Sequence, residues 1–415
     1  MIKDTIVKFE HETLKIGDHP SFKRKHWQAL IKLNNENEGN YFTVKPNGVK
    51  FNQFVGVIKV ANCTIEILPK VDSGNGDNNW QGLLTKMLQK CGNLKVQTSS
   101  NAKLKKSNLN LIELYFEDFL NEVETLIHCG LIKKYRINTG NILALKGRIH
   151  FSQNIKRNLV HKERFYTSHE VYDVDHKIHQ ILTVALNTID LLSRNLSILD
   201  KCKRVQFAFP ECKKINVTEL TFKSIRIDRK VSPYSRALEL ARLIILEYSP
   251  NISSGKESMI SILFDMNKLW EEYVLKVLKE SSPAGMKVLG KRSKLFWKSN
   301  RLEPDIVLQK NNEIYIIDTK WKHPNKKASI EDLRQIYAYG KYWKSNKVML
   351  LYPGKKPLEF AKFEDDNDNE IIGYRTFVSV VSKQNGVIKL NDRMAHQIFD
   401  VISHLTTITT TNVSN

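Results

Sequence analysis

Cysteine, long apolar runs and chain punctuation are scarce in this sequence, and each scarcity excludes something. The 415 residues include five cysteines, Cys63, Cys91, Cys129, Cys202 and Cys212. They are odd in number and form no CxxC, which argues against a zinc ribbon or a disulfide framework and fits a reducing compartment. No apolar run approaches the roughly 18 residues that a membrane span needs. The opening MIKDTIVKFE lacks the apolar core of a signal peptide, so a cytoplasmic protein with no membrane partner is expected. Pro and Gly number 11 and 18, with none of the excess that marks a fibrous or low-complexity chain. A phosphate-binding loop is missing too. Ser254-Gly255-Lys256-Glu257 lacks the first Gly of GxxxxGK[ST] and puts Glu where a hydroxyl must meet magnesium. No Ser-His-Asp or Cys-His arrangement has a recognisable local signature.

What is present in excess is positive charge. The formal net charge is +21, which points to a polyanionic partner, nucleic acid first. An AT-rich gene would also raise Lys and Asn, so charge alone does not decide function.

The length implies two or three domains, and the chain reads as three blocks and a tail. Residues 1–130 form a mixed α+β region. It has a basic helix near 21–33, strands at 41–44, 54–60 and 63–68, and helices at 80–90 and 109–129. Polar stretches at 72–79 and 98–108 read as a linker and a loop. Residues 131–256 form a middle α+β domain, with strands at 142–151 and 164–171 and amphipathic helices at 175–192 and 234–248. A loop at 249–256 leads to residues 257–405, where helix and strand alternate. Residues 406–415 are Thr/Asn-rich and read as a disordered tail. His176 and His179 could hold a metal at i,i+3, but a hydrogen-bonded helix start is the simpler reading.

The chemistry concentrates between Asp305 and Lys320. Two β-rich runs flank Asn311-Asn312, a dipeptide suited to a tight hairpin turn. Pairing Lys310 with Glu313 then sets Asp305 opposite Asp318, with Cβ atoms roughly 5 Å apart. Facing carboxylates repel, and a divalent cation between them removes the conflict; magnesium prefers a few carboxylates plus waters. Lys320 falls on the face of Asp318, one pleat further along. It could orient or deprotonate a water, or stabilise charge on a phosphate. Such a set suits phosphodiester hydrolysis. Upstream, a helix over 266–279, capped by Asp265, carries an apolar stripe of Leu269, Trp270, Tyr273, Val274, Val277 and Leu278. Glu271 borders that stripe and is the candidate third acid, while Glu272 points to the surface. Downstream, a helix opening at Ser329 with Asp332 in its first turn places Gln335 and Tyr339 on one face.

Pro304-Asp305 with Asp318-Thr319-Lys320 resembles the PD-(D/E)xK nuclease motif. The stretch Phe264–Val274, Leu350-Leu351-Tyr352-Pro353, Gly56-Val57-Ile58, Ile65–Lys70 and Lys146-Gly147-Arg148 extend the resemblance to the McrC family, the nuclease subunits of McrBC restriction systems for modified cytosine. The likeness is patchier between Asp72 and Lys134. It implies an α/β (α+β) multidomain fold whose C-terminal restriction-endonuclease-like domain has a central mixed sheet flanked by helices. It implies a magnesium-dependent DNA endonuclease, with manganese as a possible substitute. Asp305, Asp318 and Thr319 would hold the metal, Lys320 and Glu271 would complete the centre, and Gln335 and Tyr339 would support it. It further implies an AAA+ GTPase ring of the McrB kind as partner, docked by the N-terminal region. GTP would be bound by that ring and not by this chain, and the substrate would be modified double-stranded DNA. Lys287, Lys291, Arg292, Lys294, Lys298 and Arg301, then Lys322, Lys326 and Lys327, would line a DNA-facing rim. A regulatory scaffold that no longer cuts, or a stand-alone repair nuclease, are the alternative readings.

Overall fold

A computed structural model describes residues 5–70, 80–93, 110–249, 259–310, 313–322, 328–364, 370–384 and 387–411. The expected linker at 72–79, the loop at 98–108, the phosphate-loop decoy at 254–257, the Asn311-Asn312 turn, Lys326 and Lys327 lie outside these residues. Two compact units emerge. One comprises Met1–Ile58, Asn62–Lys95 and Leu263–Asn415, the other Lys59–Ala61 and Val96–Ile262. The block boundaries read from composition therefore cut across the units. Residues 1–58 and 62–95 fold with the last block, and the helix Leu111–Cys129 folds with the middle one.

In the first unit, β1 (Thr5–Phe9) lies parallel to β2 (Cys63–Leu68), in register from Thr5↔Thr64 to Phe9↔Leu68. A parallel partner so distant in sequence leaves no local signature, which is why β1 was not anticipated. α1 (Met266–Glu280) starts where the Asp265 side chain accepts from the Asn267 N–H, and the whole expected apolar stripe is buried, with Trp270 fully so. Each such side chain contributes roughly 1.5–3 kcal/mol on burial.

A six-stranded mixed sheet follows. It is built from β3 (Met286–Gly290), β4 (Ile306–Lys310), β5 (Glu313–Thr319), β6 (Lys347–Pro353), β7 (Glu359–Lys362) and β8 (Ile372–Val378), in the order β3-β4-β5-β6-β8-β7. β5 pairs antiparallel with β4 and parallel with β6. Its core residues Tyr315, Ile316 and Ile317 are buried because it is covered on both faces, as its unbroken apolar run requires. α2 (Ile330–Trp343) links β5 to β6 and packs Ile336, Tyr339 and Trp343 against Val307, Ile316, Val348 and Leu350. α3 (Met394–Thr411) corrects the expectation of a disordered tail from 406. The buried Met394, Ala395, Ile398 and Ile402 nucleate a helix that then extends cheaply through the threonines.

The second unit packs helices Leu111–Cys129, Lys177–Leu192, Leu196–Ala208 and Ser235–Leu246 together. Lys134–Ile142, Arg148–Ile149 and Phe165–Asp173 form a three-stranded sheet. The strand expected over 142–151 is not formed as one piece. Leu143 and Leu145 are exposed, so no burial holds their apolar pattern extended, and Phe151 opens a helix instead. The His pair is structural: His179 contacts the Val174 carbonyl and the Tyr234 hydroxyl, and His176 the Ile132 carbonyl. Among the described residues no helix is long and apolar enough to cross a membrane.

Candidate active site

The hairpin register is the one that the sequence arithmetic gives, from Ile306↔Ile317 to Lys310↔Glu313. The ladder ends one pair short of Asp305 and Asp318. Pro304 has no N–H to extend it, and Asp305 turns toward the next residue of β5. Its Oδ2 accepts from the Thr319 backbone N–H at 2.7 Å and from the Thr319 hydroxyl at 2.9 Å. The two aspartates are thus electrostatic neighbours at the end of the hairpin, and not the cross-strand pair expected from the arithmetic.

Asp318 is 1% exposed. Burial, reinforced by the charge of Asp305, holds its carboxyl well above the usual range, against the pull of Lys320. The Lys320 ammonium sits 2.7 Å from Asp318 Oδ2. Burial by itself lowers the pKa of this ammonium, but Asp318, with Asp332 and Asp305 behind it, reverses the effect and leaves it above the ordinary lysine value. Glu271, from α1, forms an ion pair with Lys291. Its carboxyl is raised by burial and then by Asp305, which places it within electrostatic reach of the aspartates. Glu272 is exposed.

The helix after the hairpin braces the lysine. Ser329 caps α2 by accepting from the Asp332 N–H. Lys320 Nζ donates to Gln335 Oε1 at 2.8 Å, Gln335 Nε2 donates to the Tyr339 hydroxyl at 2.9 Å, and that hydroxyl donates to the Glu303 carbonyl at 3.2 Å. Burial pushes the Tyr339 phenol up to about 12, so it stays a neutral donor at physiological pH. The chain of bonds fixes Lys320 between Asp318 and the backbone that leads into Asp305.

Two participants were not singled out from sequence. Asp332 lies 3.9 Å from Lys320 and forms an ion pair with Lys322; its i,i+3 relation to Gln335 would have placed it on the same helix face. Trp321, one pleat beyond Thr319, donates its indole N–H to Glu10 Oε1 at 2.7 Å and packs its ring 5.4 Å from that of Trp270. Glu10 follows β1, and no local pattern announces that meeting.

Of the expected rim, Lys322 is engaged by Asp332 and Lys291 by Glu271. Lys294 and Arg301 lie on an exposed hairpin, Lys294–Trp297 with Asn300–Leu302, and Lys298 takes a left-handed backbone at its turn.

Among the described residues no three carboxylate, imidazole or thiolate side chains already stand in ligand geometry. The donor set is nonetheless one of hard oxygens. Burial and the charge of Asp305 raise the cost of ionising Asp318, and a cation in place of a proton removes it. One or two carboxylates with waters is the ligation that magnesium favours.

Comparison with known families matches residues 49–353 to the McrBC 5-methylcytosine restriction system component. Comparison with curated proteins finds no match. Among solved structures, the chain is similar to one in a half-complex of Thermococcus gammatolerans McrB AAA+ hexamers with bound McrC. The two are 21% identical, with 96% of this chain and 100% of that one covered, at a TM-score of 0.68. It is also similar to a chain of the Thermococcus gammatolerans McrBC complex, 22% identical over 66% of this chain and 87% of that one, at a TM-score of 0.50. At these identities the likeness is one of fold.

Proposed function

The chain belongs to the family of McrBC 5-methylcytosine restriction system components, and on that premise we propose that it is the DNA-cutting subunit of such a system, hydrolysing phosphodiesters at Asp305, Asp318 and Lys320. The observation that carries this reading is the buried Asp318 carboxyl, raised by burial and by the charge of Asp305 and held against a lysine that is itself fixed by Gln335 and Tyr339.

Asp305 and Asp318 would hold a magnesium ion, with manganese as a substitute and Thr319 beside them. When bound, the ion supplies Lewis-acid stabilisation of the charge that develops on the phosphoryl group. Lys320 carries its proton in this environment. Its role is therefore to place positive charge on the scissile phosphate and to orient the attacking water, not to act as a base. Gln335 and Tyr339 keep Nζ in place. Glu271, released from Lys291, would add a third acid beside Asp305.

The partner is proposed to be a nucleotide-driven AAA+ ring that binds GTP and brings modified double-stranded DNA. Two observations support this. One solved chain of like fold comes from a half-complex of McrB AAA+ hexamers with bound McrC, and another from an McrBC complex. The strand Lys134–Ile142 exposes Tyr135 and Ile137, at 72% and 71%, where an apolar surface asks for a partner. That moves the proposed docking surface from the N-terminal block to the second unit.

The test is cleavage of methylated plasmid by the assembled complex with GTP and magnesium. Asp318→Ala is expected to reduce cutting to background. Cutting at the wild-type rate would refute the site. A wild-type complex that stimulates GTP hydrolysis but never cuts would make the chain a regulatory scaffold.

A further inference from the structure

We propose that the hairpin Lys294–Leu302 is a base-stacking wedge for duplex DNA, with Trp297 as the side chain that enters the stack. The inference rests on the nuclease reading above and assigns a new element to it.

Trp297 stands 64% exposed beside the turn, where its backbone pairs with Asn300. Leu295 and Phe296 beside it are also exposed, at 59% and 51%. An exposed cluster of this kind on a short two-stranded ribbon costs solubility and calls for an occupant. The ribbon is well braced. The Lys294 ammonium donates to the Tyr342 carbonyl at 2.7 Å and lies 4.9 Å over the Trp343 ring, and Phe296 meets Tyr342 edge-on at 5.5 Å. Both contacts are to α2, the helix that positions Lys320 through Gln335. A register irregularity between Leu295 and Trp297 breaks the strand alternation just before Trp297, the last paired residue of its strand.

Charge selects the occupant. From Lys287 to Leu302 the sequence carries six cations, Lys287, Lys291, Arg292, Lys294, Lys298 and Arg301, and no carboxylate. A second copy of this chain would oppose the same charges, and an ordinary protein groove would gain little from them. A polyanion that also offers flat apolar faces fits both properties, and stacked bases behind a phosphate backbone are that chemistry. Reach agrees. Trp297 pairs across the hairpin with Asn300, which precedes Asp305 by five residues, so Trp297 and Asp305 are separated by at most about 17 Å of extended chain plus one strand spacing of about 5 Å. With roughly 3.4 Å per base step, the wedge falls within about seven base pairs of a phosphate cut at the proposed site. Opening a step there would bend the duplex toward the site, as apolar wedges do elsewhere.

The experiment uses the full chain in calcium-containing buffer at low salt, with duplex oligonucleotides that carry 2-aminopurine at successive positions. The wild type is expected to change fluorescence at only one or two neighbouring steps. Trp297→Ala is expected to abolish that signal and weaken binding roughly tenfold, with no more than a small change in Tm because most of the side chain is exposed. Trp297→Phe should keep most of both. Lys298→Ala should keep the fluorescence signal and flatten the salt dependence. The wedge is refuted if wild type gives no localised signal, or if Trp297→Ala binds and reports as wild type does. Loss of self-association or of ring binding in Trp297→Ala, with DNA binding intact, would assign the surface to a protein instead. The cleavage result for Asp318→Ala is separate from all of these, so the wedge and the nuclease reading can fail independently.

Discussion

Glu10 sits directly behind the active strand, 1% exposed, accepting from the Trp321 indole and the Lys70 backbone N–H. Burial outweighs both hydrogen bonds and, with Asp265 adding to it, pushes the carboxyl up to about 7. The folded pKa lies above the ordinary 4.5, so folding favours the protonated form. That contribution is complete below the unfolded pKa and is lost as pH rises through about 7. Glu10→Gln keeps an oxygen for Trp321 and Lys70 but cannot ionise. It is expected to match wild type in denaturant unfolding near pH 4 and to exceed it near pH 8.5 by up to about 3 kcal/mol. A stability difference that does not change with pH would refute the assignment. Since Trp321 follows Lys320 directly, this buried acid also ties β1 to the strand that carries Asp318. Lys320 shows the reverse balance. Its neighbouring carboxylates overcome desolvation and raise it above the ordinary lysine value, which is why a charge-placing role is proposed for it and not that of a base.

At the scale of elements, legibility followed the range of the interaction. The β4–β5 register, the Asp265 and Ser329 caps, the buried stripe of α1 and the Gln335–Tyr339 pair were all readable, because each is fixed by residues a turn or a hairpin apart. The pairing of β1 with β2, the Glu10–Trp321 bond and the grouping of residues 1–58 with the last block were not, because distant chain segments supply the partners. Asp305 was read to the right neighbourhood but the wrong contact, since cross-strand arithmetic stops where the ladder does. Lys146-Gly147-Arg148 gives a further case: the motif was visible, and its reason is steric. Gly147 has φ +71°, and a Cβ there would lie 2.3 Å from the Ser168 carbonyl oxygen and 2.8 Å from the His169 Cα. Both obstacles are backbone of the strand Phe165–Asp173, against which Arg148 and Ile149 pair. Gly147→Ala is expected to cost about 2 kcal/mol or more and to speed amide exchange along that strand. Unchanged exchange would show that the turn relaxes freely.

At the scale of the whole molecule, the two units divide the proposed labour. The proposed catalytic residues, their braces and the basic hairpin all belong to the first unit, while the exposed Tyr135 and Ile137 belong to the second. If the second unit engages the GTPase ring and the first cuts, lesions in each should separate the two activities. Ile137→Asp puts a charge into a proposed apolar interface, where an unpaired carboxylate is costly. It is expected to lower stimulation of the partner's GTP hydrolysis at least tenfold, through weaker binding, while DNA affinity of the isolated chain stays as in wild type. Asp318→Ala is expected to do the opposite: full GTPase stimulation and no cutting. Because the chain carries a net charge of +21, its affinity for DNA should fall steeply with salt, and neither substitution should alter that slope. Paired measurements of GTP turnover, cleavage and salt-dependent DNA binding on the two variants check this. If either variant lost both activities while remaining folded, the units would be acting as one, and the division of labour argued from their composition would be wrong.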